Sequence, residues 1–267
     1  LCVVSTGAAA QEVFRRLRGE GNFHLSTLMY PAHRRAVLAE VSRRLDDGSP
    51  CRVVSTSLIE AGVDVDFPAV YREEAGLDSI LQAAGRCNRE GKRPAEDSVV
   101  TVFQGEGKPP SLFETAVGAG RAVLDRYEDI ASREAVHAYF SMLLDLKGRQ
   151  AQDEHDILRL MELELFPFRT VSERFHLINR PAVTVYIPRD EGAELAKRLR
   201  AGERSRALFR RLGQYGVSVY PQHFEELDRG GKLERLEDGS GILTDLSLYH
   251  EETGLSLEAD SGRAEFI

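Results

Sequence analysis

Short apolar runs rich in valine alternate with longer stretches of helical periodicity along the first hundred residues. "LCVVST" precedes a helical pattern over 8–18, "FHLSTL" precedes one over 32–46, and "CRVVST" runs into a glycine-containing turn. "AVYRE" then leads into a pattern over 77–89, and "SVVTVF" closes the series near Phe103. β-Branched runs separated by helices predict a parallel sheet covered on both faces, an α/β lobe. The stretch "GEGKPPS", 105–111, has the composition of a linker. Beyond it, 112–164 reads as helical, and the remainder mixes strand candidates ("FHLI", "AVTVYI", "VSVY") with an Arg-rich helical stretch at 190–212. The expected division is 1–105 for the lobe, 106–164 for linker and helical connector, and 165–267 for a smaller α+β accessory domain.

The segment "LDSILQAAGRCNREGK", 77–92, concentrates the chemistry. As a helix it places Leu77, Ile80, Leu81, Ala84 and Cys87 on one stripe and Gln82, Arg86 and Arg89 on the other. Gly85 sits inside that helix at a cost of roughly 1 kcal/mol relative to alanine, which favours a close approach to the backbone there. Two guanidiniums beside such a gap suit a phosphate chain, since Arg offers planar, permanently charged forks. The alternative is an ordinary solvated polar face.

The strand candidates share their ends. Ser5-Thr6, Ser26-Thr27 and Ser55-Thr56 close three successive apolar runs, and ligands of α/β sheets sit at the carboxyl ends of strands. These hydroxyls and their backbone N–H groups either hold a sugar-phosphate backbone or cap the helices that follow. After the third run comes "SLIEAGVDVDFP". Gly62 is free to adopt positive φ, and the Val63-Asp64-Val65-Asp66 alternation points both carboxylates the same way, toward a ribose hydroxyl or into a turn.

Composition narrows the classes. The 267 residues are 42% hydrophobic, enough for a sizeable core and long for one domain. A net charge of −8 speaks against a basic coat protein for nucleic acid, while a local basic channel remains compatible with it. Cys2, Cys51 and Cys87 are far apart and read as reduced, buried thiols of a cytoplasmic protein. The seven histidines show no metal-ligand spacing, and no apolar run reaches membrane-spanning length.

Taken in order, "LCVVST", "FHLSTLMYPAHR", "VVSTSLIEAGVDVDFP" and "LDSILQAAGRCNREG" resemble the second RecA-like lobe of a superfamily 2 helicase, in particular the CRISPR-associated helicase-nuclease of type I systems. "IEAGVDVDFP" followed by "LDSILQAAGRCNR" is the most specific part, whereas Q-x-x-G-R-x-x-R alone marks the superfamily. The resemblance covers about residues 1–105, with a looser echo in "YHEETGL". It implies a RecA-like parallel sheet with flanking helices and ATP with Mg2+ held between two lobes, mainly by the other one. It implies that Arg86 and Arg89, led by Gln82, reach the phosphates, with Arg89 as arginine finger. Gly62, Asp64 and Gly85 match positions that bind nucleotide or couple its state to DNA, and Thr6, Thr27 and Thr56 match positions that touch single-stranded DNA. The implied partners are an upstream ATP-binding lobe, an HD-type nuclease domain and an RNA-guided CRISPR surveillance complex, with no membrane.

The phosphate-cradling G-x-x-x-x-G-K-[ST] is absent, since Gly91-Lys92, Gly107-Lys108 and Gly231-Lys232 lack its other residues. "DEHD" at 153–156 follows a polar stretch and precedes a helical pattern, so Asp153 or Asp156 is expected to cap a helix. The chain therefore reads as part of a longer polypeptide, with no ATP hydrolysis of its own. The basic stretch 198–216 reads as a nucleic-acid path, a partner surface or an exposed amphipathic helix. Two further readings are a lobe of another superfamily 2 DNA or RNA helicase and a non-enzymatic docking module.

Overall fold

The valine-rich runs become β1 (Cys2–Val3), β2 (Asn22–Leu25), β3 (Arg52–Ser55), β4 (Ala69–Glu73) and β5 (Val99–Phe103), one sheet of order β2-β3-β1-β4-β5. The structure is a computed structural model that describes all residues except 61, 107–108, 154, 163–165, 176–181 and 258–267. Strands β2, β3, β1 and β4 pair in parallel. Helices α1 (Gly7–Arg16), α2 (Pro31–Asp46) and α3 (Leu77–Ala84) fall between the strands, as the alternation predicts. Val3, Leu25, Val53 and Val70 are buried with Val41, Ile59, Phe67 and Ala83 in one apolar core. Thr6 starts α1 by accepting the Ala9 N–H at 3.1 Å, and Pro31 opens α2 with no N–H to satisfy. The three cysteines are free thiols, partly exposed rather than buried, because each stands at or beyond a strand's edge instead of in its middle.

The helix expected over 77–89 stops at Ala84. Arg86 and Cys87 N–H close tight turns on Ala83 and Ala84, and Cys87 then joins Phe67 in a parallel bridge. Phe67 donates to the Arg86 carbonyl at 2.8 Å and accepts from Asn88 at 3.0 Å, so this backbone is satisfied across the chain instead of along a helix. Asn88 takes positive φ, 48°, as it leaves. Gly85 thus follows the helix, and its interior cost does not arise.

The chain divides into two compact units. Residues 1–72, 83–101 and the part from 181 onward form one, and 73–82 with 102–180 form the other. The second unit holds α4 (Ser111–Leu124), α5 (Arg133–Gln152), α6 (Ile157–Met161) and α7 (Phe168–Arg174). Its core joins Leu77, Ala119, Val123, Ala135 and Tyr139, and the Tyr139 hydroxyl donates to Asp78 at 2.6 Å. Asp153 accepts from the Leu158 and Arg159 N–H groups, the helix-capping role expected of it. Among the described residues no group of His, Cys, Asp or Glu is placed to hold a metal ion, and no helix is long and apolar enough to cross a membrane.

The C-terminal part of the first unit carries a mixed sheet of order β7-β6-β9-β8: β6 (Val183–Tyr186), β7 (Gly216–Val219), β8 (Leu233–Arg235) and β9 (Gly241–Leu243). Strands "AVTVYI" and "VSVY" appear as β6 and β7, while most of "FHLI" lies outside the described residues. Helices α8 (Glu191–Arg200), α9 (Arg206–Leu212) and α10 (Pro221–Arg229) bury Leu195, Leu199, Leu208, Leu212, Phe224 and Leu227 in its core. A hairpin of β10 (Tyr249–His250) and β11 (Gly254–Leu255) follows.

Helix α4 offers a paired test. A Cβ on Gly120 would come within 2.6 Å of the Ala75 carbonyl, whereas one on Gly118 meets open space. Gly120→Ala is expected to lower stability by about 1–3 kcal/mol, and Gly118→Ala to raise it by about 0.5–1 kcal/mol, both read from urea unfolding.

Candidate nucleotide and nucleic-acid site

The segment after β3 explains why the alternating Asp residues stand where they do. Val65 and Phe67 turn into the core, which sends Asp64 and Asp66 to the other side. There they meet the chain that leaves α3. Asp66 accepts the Arg89 N–H at 2.7 Å and pairs with Arg93 at 3.1 Å, while Asp64 pairs with the Arg89 Nε at 3.0 Å. Gly62, which precedes them, holds φ +73° with open space around it, a conformation that suits glycine.

Arg86 and Arg89 lie on either side of the Phe67–Cys87 bridge and have different surroundings. The Arg86 side chain is buried and its Nη2 donates to the Glu60 carbonyl at 2.5 Å. Its Nε and Nη1 have no hydrogen-bond partner. Glu60 is itself buried and its carboxylate pairs with Arg72 of β4 at 3.0 Å, while Arg72 also reaches the Val3 carbonyl of β1. Glu60, Arg72 and Arg86 tie β1, β4, the chain at Glu60 and the turn after α3 into one buried network. The Arg89 side chain is instead 42% exposed and its partner Asp64 is 88% exposed, a pairing of the kind that contributes little to stability and is easily exchanged. The two arginines thus differ: one guanidinium is loosely paired at the surface, and the other is buried with two nitrogens that make no hydrogen bond. Gln82 is exposed on α3.

The strand ends come together as expected, because Ser55 is in register with both Val3 and Leu25. Their hydroxyls then separate by use. Ser26 Oγ is buried against His24 Nε2 at 3.0 Å and accepts the Leu28 N–H, Ser55 Oγ donates to the Thr56 carbonyl, and Thr6 caps α1. Ser5 is half-buried, whereas Thr27 is exposed and Thr56 half-exposed. Sequence reasoning passed over Arg34 and Arg35, which line a cavity of about 280 Å3 with Ser55, Leu58 and Val63 beside these strand ends. Their signal was the doubled arginine one turn after Pro31. Arg35 donates to Gln214 at 2.6 Å and Arg34 to the Met29 carbonyl at 2.7 Å. In the basic stretch at 198–216, Arg198 pairs with Glu203 inside it, and Arg200 and Arg211 pair with Glu234 and Glu191 outside it.

Two measurements check this geometry. Glu60→Ala leaves the Arg72 charge buried without its partner and is expected to cost about 3–5 kcal/mol in urea unfolding. Glu12→Ala, which breaks an exposed pair with Arg16, is expected to change nothing measurable. Burial also pushes the His24 imidazole down from 6.5 to about 4. Between those values the unfolded chain takes up a proton that the folded chain refuses, so stability falls as pH drops from 6.5 to 4. His24→Gln is expected to make that fall shallower in unfolding curves collected across the interval.

Residues 1–92 match the family described as CRISPR-associated nuclease/helicase Cas3, C-terminal. A CRISPR-associated nuclease/helicase Cas3 of Methanothermobacter thermautotrophicus is 31% identical over 134 residues, 48% of this chain and 16% of that protein. One of Haloferax volcanii is 50% identical over 56 residues, 21% of this chain and 6% of that protein. Each match therefore spans a small part of the relative's length. The structure of T. fusca Cas3 with ATP aligns over 91% of this chain and 35% of its own, at a TM-score of 0.58 and 16% identity. A chain of a CRISPR RNA-guided surveillance complex, pre-nicking, aligns over 96% of this chain and 40% of its own, at a TM-score of 0.59 and 15% identity. These two alignments extend the likeness of fold over nearly the whole chain. Over the residues that carry the strand ends, the Asp64–Asp66 pair and the two arginines, the chain is thus similar to the C-terminal region of the CRISPR-associated nuclease/helicase Cas3.

Proposed function

We propose that this chain is the C-terminal motor half of an ATP-dependent single-stranded DNA translocase. With an ATP-binding lobe and an HD-type nuclease domain of the complete enzyme, it would serve to degrade foreign DNA in type I CRISPR interference. The observation that carries this reading is the contrast between the arginines: Arg86 is locked into the lobe, and Arg89 stands at its surface on an exchangeable pair with Asp64. An arginine finger requires that combination, a backbone held in place and a side chain free to leave. Asp66 supplies the first by accepting the Arg89 N–H.

In this reading ATP, with its Mg2+, binds mainly to the other lobe, and Arg89 exchanges Asp64 for the phosphate chain. There its charge stabilises the transferring phosphoryl group. Because Asp64 lies four residues after Glu60, which is tied to Arg72 and Arg86, release of Arg89 is felt at the end of β3, where Thr56 faces the proposed DNA path. Thr27, Thr56 and the Arg35 cavity contact the sugar-phosphate backbone, which predicts binding without base preference. In the same reading 1–105 acts as the motor lobe, 106–164 as linker and helical connector, and 165–267 as the accessory domain. Solved structures of T. fusca Cas3 with ATP and with ADP, and the fold match to a chain of an RNA-guided surveillance complex, support the choice of nucleotide and partner.

The test is ATP hydrolysis by the complete enzyme with and without single-stranded DNA. Arg89→Ala is expected to lower DNA-stimulated turnover by about 10³-fold or more, and Arg89→Lys to restore little, because the fork is lost. Turnover indifferent to Arg89 would sink the motor reading and favour a docking module.

A further inference from the structure

We propose that Tyr249 is a positioning residue for DNA binding: the hairpin Tyr249–Leu255 straps the loop Ser26–Tyr30 and so presents Thr27 to the sugar-phosphate backbone. The inference rests on the reading of the strand ends as the DNA path.

Tyr30 follows β2 in sequence, yet its ring belongs to the core of the C-terminal part. It stacks on Tyr249 with centroids 5.0 Å apart and meets Tyr215 at 5.3 Å. Its hydroxyl donates to Asp190 at 3.2 Å, and Asp190 is held at φ 49°, a conformation an L-residue keeps only where its surroundings impose it. The Tyr249 oxygen accepts the Tyr30 N–H at 3.2 Å and lies 2.8 Å from His33 Nδ1. Burial holds His33 below its ordinary value, so the neutral ring can accept the Tyr249 O–H proton at Nδ1. Arg189 lies over the outer face of the Tyr249 ring at 5.4 Å.

The other end of the hairpin completes the strap. Leu255 N–H donates to the Leu28 carbonyl at 2.8 Å. Gly254, at φ +79°, packs so closely that a Cβ there would lie 2.4 Å from the same carbonyl. Two backbone groups of the loop, the Leu28 carbonyl and the Tyr30 N–H, are thus satisfied from more than two hundred residues away, while Ser26 is fixed from inside the lobe by His24. Thr27 is the exposed residue between these anchors. Without the strap, both backbone groups need new partners, and the loop can satisfy them only by moving.

The experiment measures single-stranded DNA affinity of the complete enzyme by fluorescence anisotropy, together with DNA-saturated ATP turnover. Tyr249→Phe keeps the stacked ring and deletes the shared oxygen. It is expected to weaken DNA binding about tenfold while leaving turnover at saturating DNA within about twofold, since Arg89 and its partners are remote in sequence and bonding from the strap. Gly254→Ala, which drives a methyl into Leu28, is expected to shift affinity in the same direction, and Glu252→Gln at the exposed hairpin tip to shift nothing. If the wild type binds DNA and both strap variants bind equally well, the strap is overturned while the motor reading stands. A variant whose saturated turnover falls with affinity unchanged overturns it too. If the wild type itself binds no single-stranded DNA, both fall together.

Discussion

Glu60 is a carboxylate withdrawn from water, and the arrangement around the candidate site depends on how its charge is matched. An isolated charge in that position would be very costly, so Arg72 must reach it from β4, and the Glu60 carbonyl must in turn serve Arg86. The pairing fixes Glu60 against the sheet, and farther along the chain Asp64 and Asp66 receive Arg89 and Arg93. A replacement of the network by apolar residues of equal volume would keep the packing and lose this placement. Its role is best understood as geometric.

A second constraint acts at the strand ends. Parallel sheets bring several strand termini to one edge, but the loops that leave them are short of partners for their backbone groups. Here the C-terminal hairpin supplies those partners for the loop after β2, with Tyr30 driven into a core built mainly of residues after Val183. The lobe and the C-terminal part therefore belong to one compact unit, although residues 102–180 separate them in sequence.

Much of this was legible in the chain itself. The valine runs gave the strands, the Val-Asp alternation gave the side on which both carboxylates emerge, and Asp153 read correctly as a cap because a polar stretch precedes it. The end of α3 was not legible: apolar spacing continues through Cys87, and the interaction that stops the helix is a backbone bridge to Phe67, twenty residues earlier, to which periodicity is blind. The same holds for Arg86, whose burial depends on a carbonyl 26 residues away, and for Tyr249, whose partners lie 216 and 219 residues away. Motif spacing names residue types needed at a site. Which arginine is locked and which is free depends on contacts between segments that no local pattern records.

In the proposed mechanism Arg86 braces the lobe while Arg89 leaves it to meet the nucleotide. The most direct measurement is a structure of the complete enzyme with ADP and a phosphoryl transition-state mimic such as aluminium fluoride. The expected result is the Arg89 guanidinium on the mimic, parted from Asp64, with Arg86 still donating to the Glu60 carbonyl. Arg86 on the mimic and Arg89 still paired with Asp64 would contradict it.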